Sequence, residues 1–359
     1  MKRILLITYF AILSCFIYGQ EVFPFVNTMH YLKSFQNGQS RQVDYLKPIA
    51  IQYSKEIIAY IDNKSDFIVY DGKTKEKLTG FANDFKIGIN LLAWNTGPIV
   101  YAWDNGKKRI LTEFGGRYEV SDSLIVFEDK KENSIKAYYN GQIYDIYYSI
   151  STLAFPQYIG SNTIAYRGNG GVHYAFIAGK TVEIGVINDP VKYSPGVNLI
   201  AFNDPYNQSF AVAFQNEVLN VEETMVESYK TGYNTIVYKD RNRNLKGYIN
   251  NKMVTLSSFS SFYEVFRNMV VWGENGVFYT YVDGQRYEIA NYIPENYKLR
   301  DGIIAFRNLS GGVSAFFNKQ VKVISNLRDA AFQVNGNTIR VQVNKNNYMF
   351  FKNGKTYQF

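Results

Sequence analysis

The chain has one cysteine, Cys15, and two histidines, His30 and His173. Cys15 lies in an apolar N-terminal leader, so beyond residue 19 neither disulfide nor thiolate chemistry is available. Two distant histidines, with no cysteine near them and no Asp-x-Asp-x-Asp-Gly loop, form no recognisable metal set. No Gly-x-Ser-x-Gly elbow accompanies either one, which argues against a serine hydrolase. The expectation is therefore no metal and no cofactor. Helical patterning is missing too, since no segment sustains a 3.6-residue apolar period between caps. After residue 19 no apolar run approaches the roughly 20 residues of a membrane-spanning helix. The net charge of +8 is not clustered, and its densest stretch, 239–246, falls between strands. Nucleic-acid binding calls for a concentrated basic face, so the charge reads as solubility or attraction to anionic polysaccharide or lipid.

Residues 1–19 open with Lys2-Arg3, continue through an apolar stretch to Ile17 and end on Gly19. A basic start, a short apolar run and a small residue at the cut describe a secretory signal peptide, leaving 20–359 as the mature domain. Ser14-Cys15 raises the alternative of a lipid anchor at Cys15, but the residues that follow, Phe16-Ile17-Tyr18, are apolar rather than a polar tether. The chain is expected to be exported, periplasmic or secreted. Export without disulfides suits a bacterial envelope.

What the sequence does have is aromatic residues, 17% of the chain, written in a repeat. An aromatic is followed nine positions later by a second large apolar residue: Phe85 and Trp94, Tyr118 and Phe127, Tyr193 and Phe202, Tyr229 and Tyr238, Tyr263 and Trp272, Tyr297 and Phe306, Phe332 and Val341. Tyr53 with Tyr60 and Tyr158 with Tyr166 fit with shorter spacings. From Tyr53 to Phe332 the period is about 35 residues, which indicates solenoids, propellers or arrays. Short apolar runs precede the second anchor, as in Ile303-Ile304-Ala305, and read as strands buried on both faces. Dipeptides such as Asn105-Gly106, Asn140-Gly141 and Asp283-Gly284 then mark hairpin turns. Each unit is thus a small antiparallel sheet of strands a to d. Gly-Lys-Thr at 72–74, 179–181 and 354–356 lacks the upstream glycine and the helix of a phosphate loop, and reads as turns.

Sheets that are apolar on both faces, with no helices to cover them, must cover one another, and radial stacking does this. Tyr193-Ser194-Pro195-Gly196 followed by Leu199-Ile200-Ala201-Phe202 and Asp204 resembles the blade signature of TolB-type and Trp-Asp-repeat-like propellers. The fold expected is all-β, a β-propeller-like array of about eight to ten three- to four-stranded blades. Two smaller rings or an open stack are the alternatives. Segment 22–46 lacks the anchor pair but carries a hairpin at Asn37-Gly38.

Fold alone does not define function. Charged residues follow strand b in many units: Asp62, Asp129, Arg167, Asp204, Asp240, Glu274 and Arg307. In a closed ring the b–c and d–a loops share one end, so these residues gather there as binding candidates, with Tyr147, Tyr148, Tyr206 and Tyr292 in expected loops. Asp and Asn also simply build turns at such positions, and catalytic residues have no reason to be periodic. The expected role is a non-catalytic binding or scaffold module engaging an envelope protein through this end. A glycan partner is the alternative, and a carbohydrate-active enzyme using two loop acids is the third reading.

Overall fold

The computed structural model describes residues 20–149, 153–249 and 252–359; the signal-peptide reading of 1–19 lies outside them. Ten antiparallel sheets follow one another along the chain, nine of four strands and one of three. The chain is an all-β ten-bladed propeller. The blades span 23–44, 50–79, 84–112, 115–148, 158–186, 193–222, 228–257, 262–290, 297–325 and 332–358. The only helical turn among the described residues is Asn169–Gly171.

The nine-residue spacing is the register of the a–b hairpin. Phe85 lies directly opposite Trp94, Tyr118 opposite Phe127, Tyr193 opposite Phe202 and Tyr263 opposite Trp272. The two shorter pairs are not partners. Tyr60 faces Ile51, nine residues away, and Tyr158 faces Ala165. Aromatic content misled the reading there, because in blade 2 the first anchor is aliphatic.

Blade 1 has no anchor pair because it has no strand a. Its strands Phe23–Val26, Leu32–Gln36 and Gln39–Asp44 correspond to b, c and d. The c–d hairpin turns on Asn37 and Gly38, both at positive φ (48° and 87°), the backbone that matches strand twist. The same pairing recurs at Asn105-Gly106, Asn140-Gly141, Asp283-Gly284 and Asn353-Gly354. In blade 2, Asp71 instead accepts the amides of Lys73 and Thr74 in a wider turn. His30 stands in the b–c turn of blade 1 at φ 62°.

Packing between blades follows one rule. The second anchor on strand b faces the preceding blade, and the small residue before it faces the following one. Trp94 packs with Ala59 of blade 2, while Ala93 packs with Phe127 of blade 4. Ala201 shares a cluster with Tyr238, Val237 with Trp272, and Ala305 with Val341. A large side chain enters the space left by a small one at each of these interfaces, as close packing of two sheets requires.

Ring closure is non-covalent. Phe35 stacks on Phe350 at 4.4 Å, and Phe23 and Phe25 meet the same ring at 5.8 and 5.2 Å. Such aromatic pairs contribute about 0.5–1.5 kcal/mol each beyond burial. The place of the missing strand a is filled by side chains. The Tyr53 hydroxyl reaches Gln333 Oε1 at 2.8 Å. Arg340 donates to the Pro24 carbonyl and to Gln333, and its guanidinium lies 4.8 Å from the Phe23 ring centre. Pro24 offers no amide, so the inner edge of blade 1 is a poor template for a further strand.

Enlarging the small partner should therefore overpack an interface. Ala201→Phe is expected to cost about 1–3 kcal/mol, read as a lower melting temperature; an unchanged value would mean that Ala201 does not face Tyr238.

Candidate functional site

Alternating strand direction puts the b–c and d–a loops at one end of the ring and the a–b and c–d turns at the other. The charged residues singled out from sequence stand at the b–c end, where most serve their own turns. Asp62 Oδ1 accepts the amides of Lys64 (2.8 Å) and Asp66 (2.9 Å). Asp129 accepts Lys131 and Asp204 accepts Tyr206 in the same way. Asp240 takes the amides of Asn242 and Asn244, both at 2.9 Å, and pairs with Lys246 at 3.1 Å. Glu274 ends strand b of blade 8 and pairs with Arg286 at 2.7 Å. Arg307 donates to the carbonyls of Gly311 and Ala330, and Arg167 closes strand b of blade 5. These side chains are spread over seven blades, and none of the ion pairs or hydrogen bonds in the described residues joins two of their carboxyl groups.

The tyrosines divide. Tyr147 and Tyr148 are not in a loop, as the sequence suggested, but end strand d of blade 4, Gln142–Tyr148. Tyr147 is half-buried against the blade 4–5 core. Tyr292 is tied to the Arg307 carbonyl at 3.1 Å. Tyr206 is 84% exposed in the b–c loop of blade 6.

Charge and tyrosine are not what distinguishes this end; exposed apolar side chains are. Among the described residues, every large hydrophobic exposed in a loop lies in a b–c or d–a loop, and none lies in an a–b or c–d turn. Tyr45, Leu46 and Ile49 lie between blades 1 and 2, Phe81 between 2 and 3, and Phe114 between 3 and 4. Phe259, Ile293 and Leu327 occupy the links from blade 7 round to blade 10. Met29 and Leu309 add b–c positions in blades 1 and 9. On the opposite arc the links expose Asn188, Asp189, Glu223 and Glu227 instead. Searching for charge and tyrosine missed this arc, although one apolar residue per d–a link recurs at near-repeat spacing.

A second concentration lies on the axis at the a–b end. Its sequence signal is Gly-x-Asn at 88–90, 160–162, 196–198 and 232–234. Each triplet is an a–b turn that touches the next. A Cβ on Gly232 would stand 1.8 Å from the Arg267 carbonyl oxygen, and one on Gly88 2.1 Å from that of Ser121. Glycine is required for this approach. It lets Ile89 N donate to Asp122 O (3.1 Å), Val197 N to Gly232 O (3.0 Å) and Tyr233 N to Arg267 O (2.9 Å), while the glycine-free turn 121–123 makes the same kind of contact from Ser123 N to Ser161 O (3.2 Å). Asn162, Asn198 and Asn234 link their side-chain amides in series at 2.7 and 3.2 Å.

Charged residues at the turn tips then meet across the axis. Asp122 of blade 4 accepts the Tyr233 hydroxyl of blade 7 at 2.7 Å and lies 3.6 Å from Arg267 of blade 8. Arg267 also pairs with Asp301, which lies 3.2 Å from Lys55 of blade 2. Burial works against the charges of Arg267 and Lys55, but Asp301 and its fellow carboxylates outweigh it and hold both above their ordinary values. No group of three or more His, Cys, Asp or Glu among the described residues is arranged to hold a metal.

Comparison with known proteins agrees with this architecture. Residues 17–357 match the family described as the 10-bladed beta propeller domain, and the chain belongs to that family. No curated protein matches it. Similar solved structures include the computationally designed Ika8 protein (12% identity, 95% of this chain and 99% of that one, TM-score 0.34). A eukaryotic initiation factor is similar at 10% identity over 85% of this chain and 96% of that one, with a TM-score of 0.43. PorZ, a surface component of the type-IX secretion system of Porphyromonas gingivalis, is similar at 9% identity over 95% of this chain and 59% of that one, with a TM-score of 0.28.

The turn carboxylates carry a pH signature. Burial tends to raise Asp240, but hydrogen bonds from Asn244 and Lys246 prevail and hold it below the ordinary carboxylate value. A depressed value in the folded state means that the stabilisation is whole above the unfolded value, about 3.9, and is lost as pH falls through the folded one. Asp240→Asn should lower the melting temperature by a constant amount above about pH 5, with the gap closing below about pH 4. A gap that widens on acidification would contradict the assignment.

Proposed function

We propose that this propeller is a non-catalytic binding module of a bacterial envelope, exported by the leader at 1–19, which engages a protein partner through the b–c and d–a loop end. One observation carries the reading: among the described residues, exposed large apolar side chains in loops stand at that end and at no a–b or c–d turn. Clustered exposed apolar surface marks sites of association, and loops on a rigid frame are where recognition residues concentrate. Phe81, Phe114, Phe259, Ile293 and Leu309 are the contact residues this reading names. The b–c carboxylates Asp62, Asp129, Asp204 and Asp240 shape the loops that present them. Using their oxygens to hold turn amides favours a non-catalytic role over acid–base chemistry. The scatter of exposed tyrosines, Tyr45 between blades 1 and 2, Tyr148 on blade 4 and Tyr206 on blade 6, favours a protein over a sugar. The Tyr-Ser-Pro-Gly signature of blade 6 is in keeping with a TolB-type lineage and an envelope setting.

Two multiple variants test this in pull-downs from envelope extract. Replacing Phe81, Phe259 and Leu309 by Ser should abolish capture of the partner. Replacing Lys73, Lys107, Lys180 and Lys355 by Ala, at the c–d turns, should leave capture intact. Loss in the lysine variant alone would place the working surface at the other end.

A further inference from the structure

Three cations reach the axial depression at the a–b end, and the fold pairs only two of them. Arg267 is held by Asp301 and Asp122, and Lys55 by Asp301 and by Glu21 at 3.6 Å. Arg300, the last residue of strand a in blade 9, forms no ion pair among the described residues. Its Nη1 donates to the neighbouring Leu299 carbonyl at 2.7 Å. Its guanidinium lies 4.4 Å from the centre of the Phe266 ring, and Arg267 lies 5.4 Å from the same centre. Two guanidinium groups thus share one ring. Burial, and then the field of Arg267, hold Arg300 below its ordinary value. Arg267 Nε is buried with no acceptor. Like charges brought together in a partly desolvated place are costly unless an anion joins them.

We infer that this axial mouth, a depression of about 370 Å³ between the a–b turns, is a recognition site for a carboxylate group centred on Arg300. The planar guanidinium fork matches a carboxylate in a two-bonded arrangement. The lining residues include three cations, Lys55, Arg267 and Arg300, against two carboxylates, Asp122 and Asp301. Glu56, beside Lys55 in the same turn, adds a carboxyl that burial pushes up. Around these acids a singly charged anion is tolerated and a dianion is repelled. Ile87, Ile89 and Val334 also line the depression and offer apolar contact for the carbon that bears the carboxylate. The group could be the free end of a peptide or a small carboxylic acid. This surface is opposite the loop end and does not rest on the protein-binding reading.

Calorimetric titration of the whole chain tests it with four probes: an N-acetylated Ala-Ala-Leu peptide acid, the same peptide as its amide, propionate, and inorganic phosphate. Saturable one-to-one binding of a carboxylate probe is expected. It should weaken about tenfold or more in Arg300→Gln, the scale of a lost charged hydrogen bond, with the melting temperature unchanged. Peptide acid binding well above propionate identifies a chain end, and equal binding of the two identifies a small acid. If the Gln variant unfolds, Arg300→Lys replaces it, keeping charge without the fork, and several-fold weaker binding supports the inference. Amide binding as well as acid, phosphate binding more tightly than both carboxylates, no saturable carboxylate binding, or unchanged affinity in a folded Arg300 variant overturns it.

Discussion

Neighbouring a–b turns touch backbone to backbone at the axis, and the ring depends on how closely they approach. Turn amides usually face water; here those of Ile89, Ser123, Val197 and Tyr233 each donate to the carbonyl of the next turn. That arrangement satisfies partly buried polar groups that would otherwise be left unpaired. It also demands glycine at 88, 160, 196 and 232, where any side chain would collide with a neighbouring carbonyl or backbone carbon. Across the axis, Asp122 and Asp301 tie blades 4, 7, 8, 9 and 2 together.

Further from the axis the blades are held by shape. A small residue on strand b makes room for the large anchor of the next blade, Ala59 for Trp94 and Ala93 for Phe127. Because side chains alternate along a strand, one sequence pair serves two interfaces. Blade 1 departs from the scheme. Without a strand a it has no a–b turn, and Val22 takes that place, donating to the Lys55 carbonyl at 2.9 Å and accepting from Asn335 Nδ2 at 2.6 Å, while Phe23, Phe25 and Phe35 close on Phe350 and Arg340 and Tyr53 fill the inner gap.

The fold was legible because its register is local. Nine residues separate opposed positions across the a–b hairpin, so anchor pairs such as Tyr193 and Phe202 appear in the sequence directly. Blade 2 was misread where an aliphatic, Ile51, takes the first anchor position opposite Tyr60. The candidate site was harder to see. Asp204 and Asp240 stand out as charges after strand b, yet their carboxylates serve the turn amides. Conversely, Phe81 or Phe259 looks like core material in a sequence so rich in aromatics, and only the loop position exposes it. The axial cluster joins Lys55, Asp122, Arg267 and Asp301, residues from four repeats spread between blade 2 and blade 9. No local pattern announces such a meeting, because it depends on how the ring closes; only the Gly-x-Asn triplets hint at where the turns converge.

Amide hydrogen exchange tests the collar most directly, since exchange reports the opening of individual hydrogen bonds. The amides of Ile89, Ser123, Val197 and Tyr233 should exchange as slowly as those of the buried b strands. The amides of the c–d turn residues Asn105 and Gly106 should exchange much faster. Equal, rapid exchange at both sets of turns would contradict a ring held together at its axis by turn-to-turn hydrogen bonds.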